Sequence, residues 1–299
     1  MPSLLLSLLF LAQTCTTPAQ STLANVESLR LPSLAGDIRT FHAPGYRAEA
    51  ESTAEIFRAS NRFFSDRLGV SREVTLAILD SASWTAITPI PYGLPFVSGP
   101  PYIVCIPATA DNPLSETLAA ALPDSALAAW PGVSRTEIVQ RFVALIGFHE
   151  LGHIYATAMG AEFPNRWTFE FAATFLAAWY LDQEQPEALR LWVRLSRILV
   201  DELTARHTSL ADFERLYVRV GIENYAWYQV VFLLRVAEVY RTEGADFVAR
   251  LRTQEWPADS DTRHVASLEA LAPGFMPWAR QYGLLDGGPP TPSTPDGKR

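Results

Sequence analysis

Cysteine is scarce in this sequence, which limits the ways in which the chain can be cross-linked. Only two cysteines, Cys15 and Cys105, occur in 299 residues. Two sulfur atoms cannot form a disulfide framework or a zinc site made of cysteine ligands. Cys105 lies in the apolar run 102–106, where we expect a buried free thiol.

Basic residues are too few and too scattered for a phosphate-binding surface. The chain has 24 Lys and Arg against 32 Asp and Glu, which gives a formal net charge of −8. Proteins that bind nucleic acids concentrate Lys and Arg on one face or along one helix. We therefore expect no nucleic-acid partner.

The N-terminal apolar run, residues 4–12, lacks the length needed to cross a membrane, and no basic side chain precedes it. Its length suits the core of a signal peptide, and small residues follow at 17–19. We expect residues 1–19 to be a signal peptide and the protein to be exported to the periplasm or the extracellular space. A buried N-terminal helix is one alternative. Lipid attachment at Cys15 is another, and only this alternative implies membrane contact.

Hydrophobic periodicity divides the chain into a mixed first part and a helical second part. It predicts a helix over 45–68, a buried strand over 74–80, an ordered Pro- and Gly-rich loop over 81–101 and a strand over 102–106. The pattern is helical from residue 115 onward, with predicted helices over 135–159, 167–182, 186–204, 209–220, 225–242 and 244–253.

This order of elements indicates an α+β fold with two subdomains and a tail. Residues 20–133 are expected to form a small mixed sheet with helices and an edge strand. Residues 134–286 are expected to form a mostly helical subdomain that begins at the seam between the two. The segment 287–299 is rich in Pro and Gly, so we expect it to be flexible.

Helix 135–159 carries a motif with metal-binding spacing. The segment 149–153 reads His-Glu-Leu-Gly-His and matches H-E-x-x-H. Residues four apart lie on one face of a helix, so His149 and His153 can bind the same ion. Glu150 is rotated about 100° from His149, where it can reach a metal-bound water rather than the metal.

The motif H-E-x-x-H is short, and about one per cent of chains of this length contain it by chance. Its flanks, 142–148 and 154–156, are apolar. Burying three ionisable groups there costs several kcal/mol unless a metal or other partners compensate. Gly152 also favours a site, because glycine lets a strand or a substrate approach the helix closely.

A zinc ion with one open position needs a third protein ligand. Glu170 follows His153 by 17 residues and lies in the strongly apolar segment 167–174, which has little other reason to carry an acid. Glu162 is the competing candidate, but it falls in the expected connecting turn. We therefore predict that Glu170 completes the ligand set.

At these residues the sequence resembles the gluzincin superfamily of zinc metallopeptidases, in particular its peptidase MA-like group. The match covers 149–153 and the segment Glu-Phe-Ala-Ala that begins at Glu170, with a weaker match through 221–229. The resemblance implies a zincin-like fold and one zinc ion held by His149, His153 and Glu170. It also implies that Glu150 is the general base.

Members of this superfamily use a tyrosine or histidine from later helices to stabilise an oxyanion. Tyr225 matches that place, and Tyr228 lies one turn away on the same face, so the choice between them stays open. Packing in the core is the alternative for both. Many members also carry an acid after the third ligand that orients a histidine, but Ala173 and Thr174 stand here, which leaves that support unassigned.

Together these features predict an exported zinc metallopeptidase that hydrolyses a peptide or protein substrate, with Glu150 assisting the attack of water. One alternative is a zinc-binding or assembly protein without catalysis. Another is a zinc hydrolase of a non-peptide amide or ester. We further expect the strand 102–106 to pair with an extended substrate, with the loop 92–101 over the cleft.

The chain has five histidines, and three of them lie outside the motif. His42 precedes Pro44 in an expected loop, and His207 and His264 each follow an arginine in a polar stretch. We interpret all three as surface residues rather than ligands.

Overall fold

The computed structural model describes residues 21–128, 130–161, 163–257 and 260–285, except for the side chain of Val218. The expected signal peptide 1–19, Cys15, Glu162 and the tail 287–299 lie outside the described residues. Within them the chain is a mixture of α-helices and one mixed β-sheet, which confirms the predicted α+β class. None of the described helices combines the length and apolar character needed to cross a membrane.

Five strands form the sheet. They are β1 (Ser33–Leu34), β2 (Arg39–His42), β3 (Val74–Leu79), β4 (Phe96–Ser98) and β5 (Tyr102–Pro107). Their order in the sheet is β1-β2-β3-β5-β4. Strands β2, β3 and β5 are parallel, whereas β1 and β4 run antiparallel to their neighbours at the two edges.

The predicted strand over 102–106 is confirmed as β5, but its predicted position is wrong. We expected it to pair with an extended substrate, which requires a free edge. In the structure β3 pairs with one side of β5 and β4 with the other. Its backbone groups are therefore used within the sheet, and β4 is the outer strand.

Thirteen α-helices complete the described part of the chain. The helices of the first part are α1 (Thr22–Ser28), α2 (Arg47–Leu68), α3 (Ser81–Ile87), α4 (Pro113–Ala121) and α5 (Asp124–Leu127). The helices of the second part are α6 (Arg135–Ala158), α7 (Arg166–Glu184), α8 (Pro186–Glu202), α9 (Leu210–Leu216), α10 (Ile222–Glu243), α11 (Asp246–Thr253), α12 (Asp261–Leu271) and α13 (Phe275–Gln281).

Side chains of β3 alternate between the two faces of the sheet, as the twofold period of a strand requires. Leu76 and Ile78 belong to the large core that joins this sheet to the helices of the second part. Ala77 and Leu79 belong to a smaller core on the other face, with Trp84 of α3. Every residue of β3 is buried, which confirms the predicted buried strand.

The segment 81–101 contains a helix and a strand, so the prediction of a loop throughout is wrong. Asp80 caps α3 by accepting a hydrogen bond from the Ser83 N–H at 2.8 Å. The indole N–H of Trp84 donates to the carbonyl of Ile90 at 2.7 Å and fixes the following turn. The end of this segment then forms β4.

The predicted helix over 209–220 divides at Tyr217. Helix α9 ends at Leu216, and residues Tyr217–Val220 form a 3-10 turn. Tyr217 has φ +43°, a left-handed conformation that is strained for an aromatic residue. The strain coincides with a tyrosine that reaches the candidate site.

Candidate metal centre

Helices α6 and α7 carry the predicted ligands and lie against each other. Ser134 caps α6 by accepting from the Glu137 N–H, and Asn165 caps α7 by accepting from the Thr168 N–H. A Cβ added to Gly152 would lie 2.9 Å from the carbonyl carbon of Ala173 and nearer still to its oxygen. Gly152 therefore allows a close approach, as expected, but the approaching element is helix α7 rather than a strand or a substrate.

His149, His153 and Glu170 converge on one point. All three are buried, and their ligand atoms lie within 4.8 Å of one another. The Nε2 atoms of the two histidines are 3.0 Å apart. Glu170 Oε2 lies 3.0 Å from His149 Nε2 and 3.5 Å from His153 Nε2. These three side chains are close enough to hold a metal ion.

The separations of these three atoms agree with the edges of a small tetrahedron. Zinc bonds to nitrogen and oxygen at about 2.0–2.1 Å, which separates neighbouring ligand atoms by roughly 3.3 Å in tetrahedral geometry. The observed separations are 3.0, 3.0 and 3.5 Å. Two imidazoles and one carboxylate are also a donor set that suits zinc. The three side chains therefore fit the zinc ion that the sequence predicts.

Thr174 orients His149, a partner that the sequence left unassigned. The Thr174 hydroxyl donates to the backbone carbonyl of Glu170 at 2.8 Å. The same oxygen lies 3.0 Å from His149 Nδ1, so it accepts the Nδ1–H. This assignment leaves the lone pair of His149 Nε2 directed at the other ligand atoms. The Nδ1 of His153 is buried and has no partner among the described residues.

Three further side chains hold the carboxylate of Glu170. Gln229 donates to Oε2 at 2.7 Å, and the Tyr217 hydroxyl donates to Oε1 at 2.9 Å. The Tyr225 hydroxyl lies 3.4 and 3.5 Å from the two oxygens, a much weaker contact. Glu170 is fully buried, and these donors come from the 3-10 turn and α10.

The structure distinguishes the two tyrosines between which the sequence could not choose. Tyr225 lies beside Glu170, whereas the Tyr228 hydroxyl donates to the carbonyl of Ser209 at 2.7 Å. Burial and the negative charge of Glu170 raise the pKa of Tyr225 well above its ordinary value. Its hydroxyl is therefore protonated and available as a donor.

Glu150 is buried beside the cluster but is not part of the ligand set. The backbone N–H of Val97 in β4 lies near its carboxyl group. Burial raises the pKa of Glu150 to about 8; the charge of Glu170 also raises it, whereas His153 and the Val97 N–H lower it. Glu150 is thus a carboxyl group of raised pKa that lies next to the three potential metal ligands.

The three ligand side chains are electrostatically coupled. Burial and the neighbouring His153 lower the pKa of His149. Burial alone would raise the pKa of Glu170, but the two histidines outweigh it and lower that pKa well below the usual value. Burial also lowers the pKa of His153, and Glu170 outweighs it so that this pKa is raised. The carboxylate is therefore ionised and faces its partners as a negative charge.

The interpretation of the remaining histidines as surface residues is wrong for two of them. His42 is 4% exposed, and its Nδ1 lies 3.0 Å from the carbonyl of Ala43. His264 is 1% exposed, and its Nε2 lies 2.7 Å from the Thr168 hydroxyl. His207, with a 38% exposed side chain, lies near Asp212. None of the three belongs to the metal cluster.

Sequence reasoning did not identify Thr174, Tyr217 or Gln229 as site residues. Thr174 follows Glu170 by one helical turn, and Gln229 follows Tyr225 by one turn, so helical spacing from a predicted residue could have found both. No comparable signal marks Tyr217, because it reaches Glu170 across 47 residues of sequence.

Comparisons with known proteins do not assign this chain to a family. A scan against protein-family models, a search of curated proteins and a search of solved structures each returned no match. The function is therefore inferred from the geometry of the site.

Proposed function

We propose that this protein is a zinc-dependent hydrolase, and that it acts as a metallopeptidase of the gluzincin type. The observation that carries the proposal is the convergence of His149, His153 and Glu170 on one point, with Glu150 next to them but outside the ligand set. Three protein ligands leave a fourth tetrahedral position for water or substrate, as in catalytic zinc sites.

When bound by His149, His153 and Glu170, zinc would polarise a substrate carbonyl and lower the pKa of water toward neutrality. Glu150 accepts the proton of the attacking water and then donates it to the leaving amine. Gln229, Tyr217 and Thr174 hold Glu170 and His149 in position, so that the ligands need not reorganise.

Tyr225 is the proposed donor to the oxyanion that develops on the substrate. Tyr217 already donates to Glu170 at 2.9 Å, whereas Tyr225 is held only at 3.4 Å or more. A weakly engaged hydroxyl can turn to the substrate without losing a strong hydrogen bond.

Metal analysis and peptide digestion of wild type and Glu150→Gln test the proposal. Wild type is expected to retain about one zinc per chain and to cleave peptides. Glu150→Gln removes the base but no ligand, so it is expected to keep the zinc and lose most of the cleavage.

The outcomes separate the proposed peptidase from the other classes. Wild-type protein that takes up no zinc would contradict the metal site. Zinc uptake without cleavage in either protein would favour a binding or assembly protein. Cleavage of esters or non-peptide amides but not of peptides would retain the mechanism and change the substrate class.

A further inference from the structure

A small apolar cavity lies against the candidate metal centre. Seven apolar side chains from the segment before β4 and from helices α4, α6, α8 and α10 line it: Leu94, Leu114, Leu118, Phe142, Ile146, Trp192 and Ala226. His149, Tyr225 and Gln229 line it too, and all three contact Glu170. The cavity therefore lies next to His149 and to two of the side chains that contact Glu170.

The size of the cavity limits what can enter it. Its volume is about 30 Å³, whereas an apolar cavity that accepts a benzene ring has about 150 Å³. A methyl or similarly small alkyl group can be accommodated, but an aromatic ring requires the walls to move. The close packing of Phe142, Leu118 and Trp192, each less than 7% exposed, opposes that movement.

The chemistry of the lining limits the occupant further. No Asp, Glu, Lys or Arg lines the cavity, so a charged group inside it would lose its hydration without gaining an ion-pair partner. A small alkyl group loses no hydrogen bonds on entering. Both size and polarity thus select the same class of side chain.

We infer that this cavity is the specificity pocket for the substrate residue next to the scissile bond, and that it selects a small apolar side chain of the alanine type. The inference rests on the proposed function and specifies the substrate class of the same site. Ile146 is the wall residue best suited to control the selection, because it is only partly buried and lies one helical turn before Glu150.

The test uses zinc-loaded wild type, Ile146→Ala and the matched control Ile198→Ala. Ile198 is also partly buried in a helix but does not line the cavity. The binding probes are three hydroxamic acids that chelate zinc and differ only in a methyl, isobutyl or benzyl group. The cleavage probes are peptides that differ only in Ala, Leu, Phe or Asp beside the scissile bond.

Wild type is expected to favour methyl over benzyl, and Ala over Phe and Asp, by about tenfold or more, the order of discrimination that one or a few carbons provide in such pockets. Wild type should also disfavour isobutyl relative to methyl and Leu relative to Ala. Ile146→Ala should reduce this discrimination about tenfold, whereas Ile198→Ala should not change it. Leu118→Ala enlarges the same cavity from α4 and replaces Ile146→Ala if that variant does not fold.

The pocket assignment is overturned if benzyl binds to wild type as well as methyl does. It is equally overturned if the pocket variant and Ile198→Ala show the same preferences. If the hydroxamates follow the expected order but no peptide is cleaved, the pocket stands and the proposed peptidase activity fails. Absence of zinc uptake would overturn both.

Discussion

At the scale of single residues, the hydroxyl of Thr174 links two ligands of the candidate centre. It donates to the backbone of Glu170 and accepts from His149 Nδ1, and so determines which nitrogen of His149 faces the other ligands. Thr174→Val keeps the shape of the side chain but removes the acceptor. We expect zinc affinity to fall about 10–100-fold, measured by competition with a chelator. Thr174→Ser should restore most of the affinity, and equal losses in both variants would contradict the assignment.

The two tyrosines at Glu170 are expected to differ in their effects on catalysis. Tyr225→Phe should lower kcat by about 10²-fold or more without loss of zinc, since it removes the proposed oxyanion donor. Tyr217→Phe removes the 2.9 Å hydrogen bond to Glu170, so its main effect should be on zinc affinity. Steady-state kinetics and metal analysis of both variants measure these effects. If Tyr217→Phe lowered kcat and Tyr225→Phe lowered zinc affinity, the two roles would be exchanged.

His264 is expected to make the stability of the fold depend on pH. Burial lowers its pKa to about 4, whereas the unfolded chain takes up this proton near pH 6.5. The unfolded state therefore binds more protons between these values, and stability falls as the pH is lowered from about 6.5 to 4. The contribution is about 3 kcal/mol.

His264→Gln can keep a hydrogen bond to Thr168 but cannot titrate. Denaturant unfolding at several pH values should show a loss of stability between pH 7 and pH 4 that is smaller in the variant by about 3 kcal/mol. Parallel curves for the two proteins would contradict this role of His264.

At the scale of secondary-structure elements, the contact between α6 and α7 depends on Gly152. A side chain there would meet the backbone of Ala173, which cannot rotate away. Gly152→Ala should destabilise the fold by about 1–3 kcal/mol or more and weaken zinc binding, because the ligands lie on both helices. Gly147→Ala is the control, since its nearest neighbour at 3.0 Å is the end of the Phe57 side chain. Chemical denaturation measures the stability of both variants. Equal losses of stability would show that the close approach of α6 and α7 does not require glycine at position 152.

The sequence predicts elements well where a pattern is long and poorly where it is short. Helices α6 and α7 could be predicted because each is a long apolar segment without an internal proline, 24 and 19 residues in the structure. Strand β1 has two residues and β2 has four, too few for an alternating pattern to be detected. The edge position of β4 depends on pairing between distant segments, which no local pattern records.

In the candidate site too, the sequence predicts what depends on local spacing and misses what depends on contacts between distant segments. The spacing of His149 and His153 is local, so the sequence showed that both can face one ion. The apolar surroundings of Glu170 indicated a buried acid with a function. Its hydrogen bonds to Tyr217 and Gln229 are formed across 47 and 59 residues and follow only from the packing of α7 against the 3-10 turn and α10.

At the scale of the whole molecule, the metal should stabilise the fold. A ligand that binds only the folded state stabilises it by about 2.7 kcal/mol when its free concentration is 100 times its Kd. Removal of zinc by a chelator should therefore lower the Tm by several degrees, and added zinc should restore it. Glu170→Ala should respond much less, as measured by calorimetry. An equal response in wild type and variant would place the stabilising metal elsewhere.

The sheet ends on both sides in very short strands, two residues in β1 and three in β4. Open strand edges are the places where separate protein molecules add to one another and form aggregates. This sheet offers almost no such edge, so we expect concentrated solutions of the folded protein to resist sheet-to-sheet aggregation.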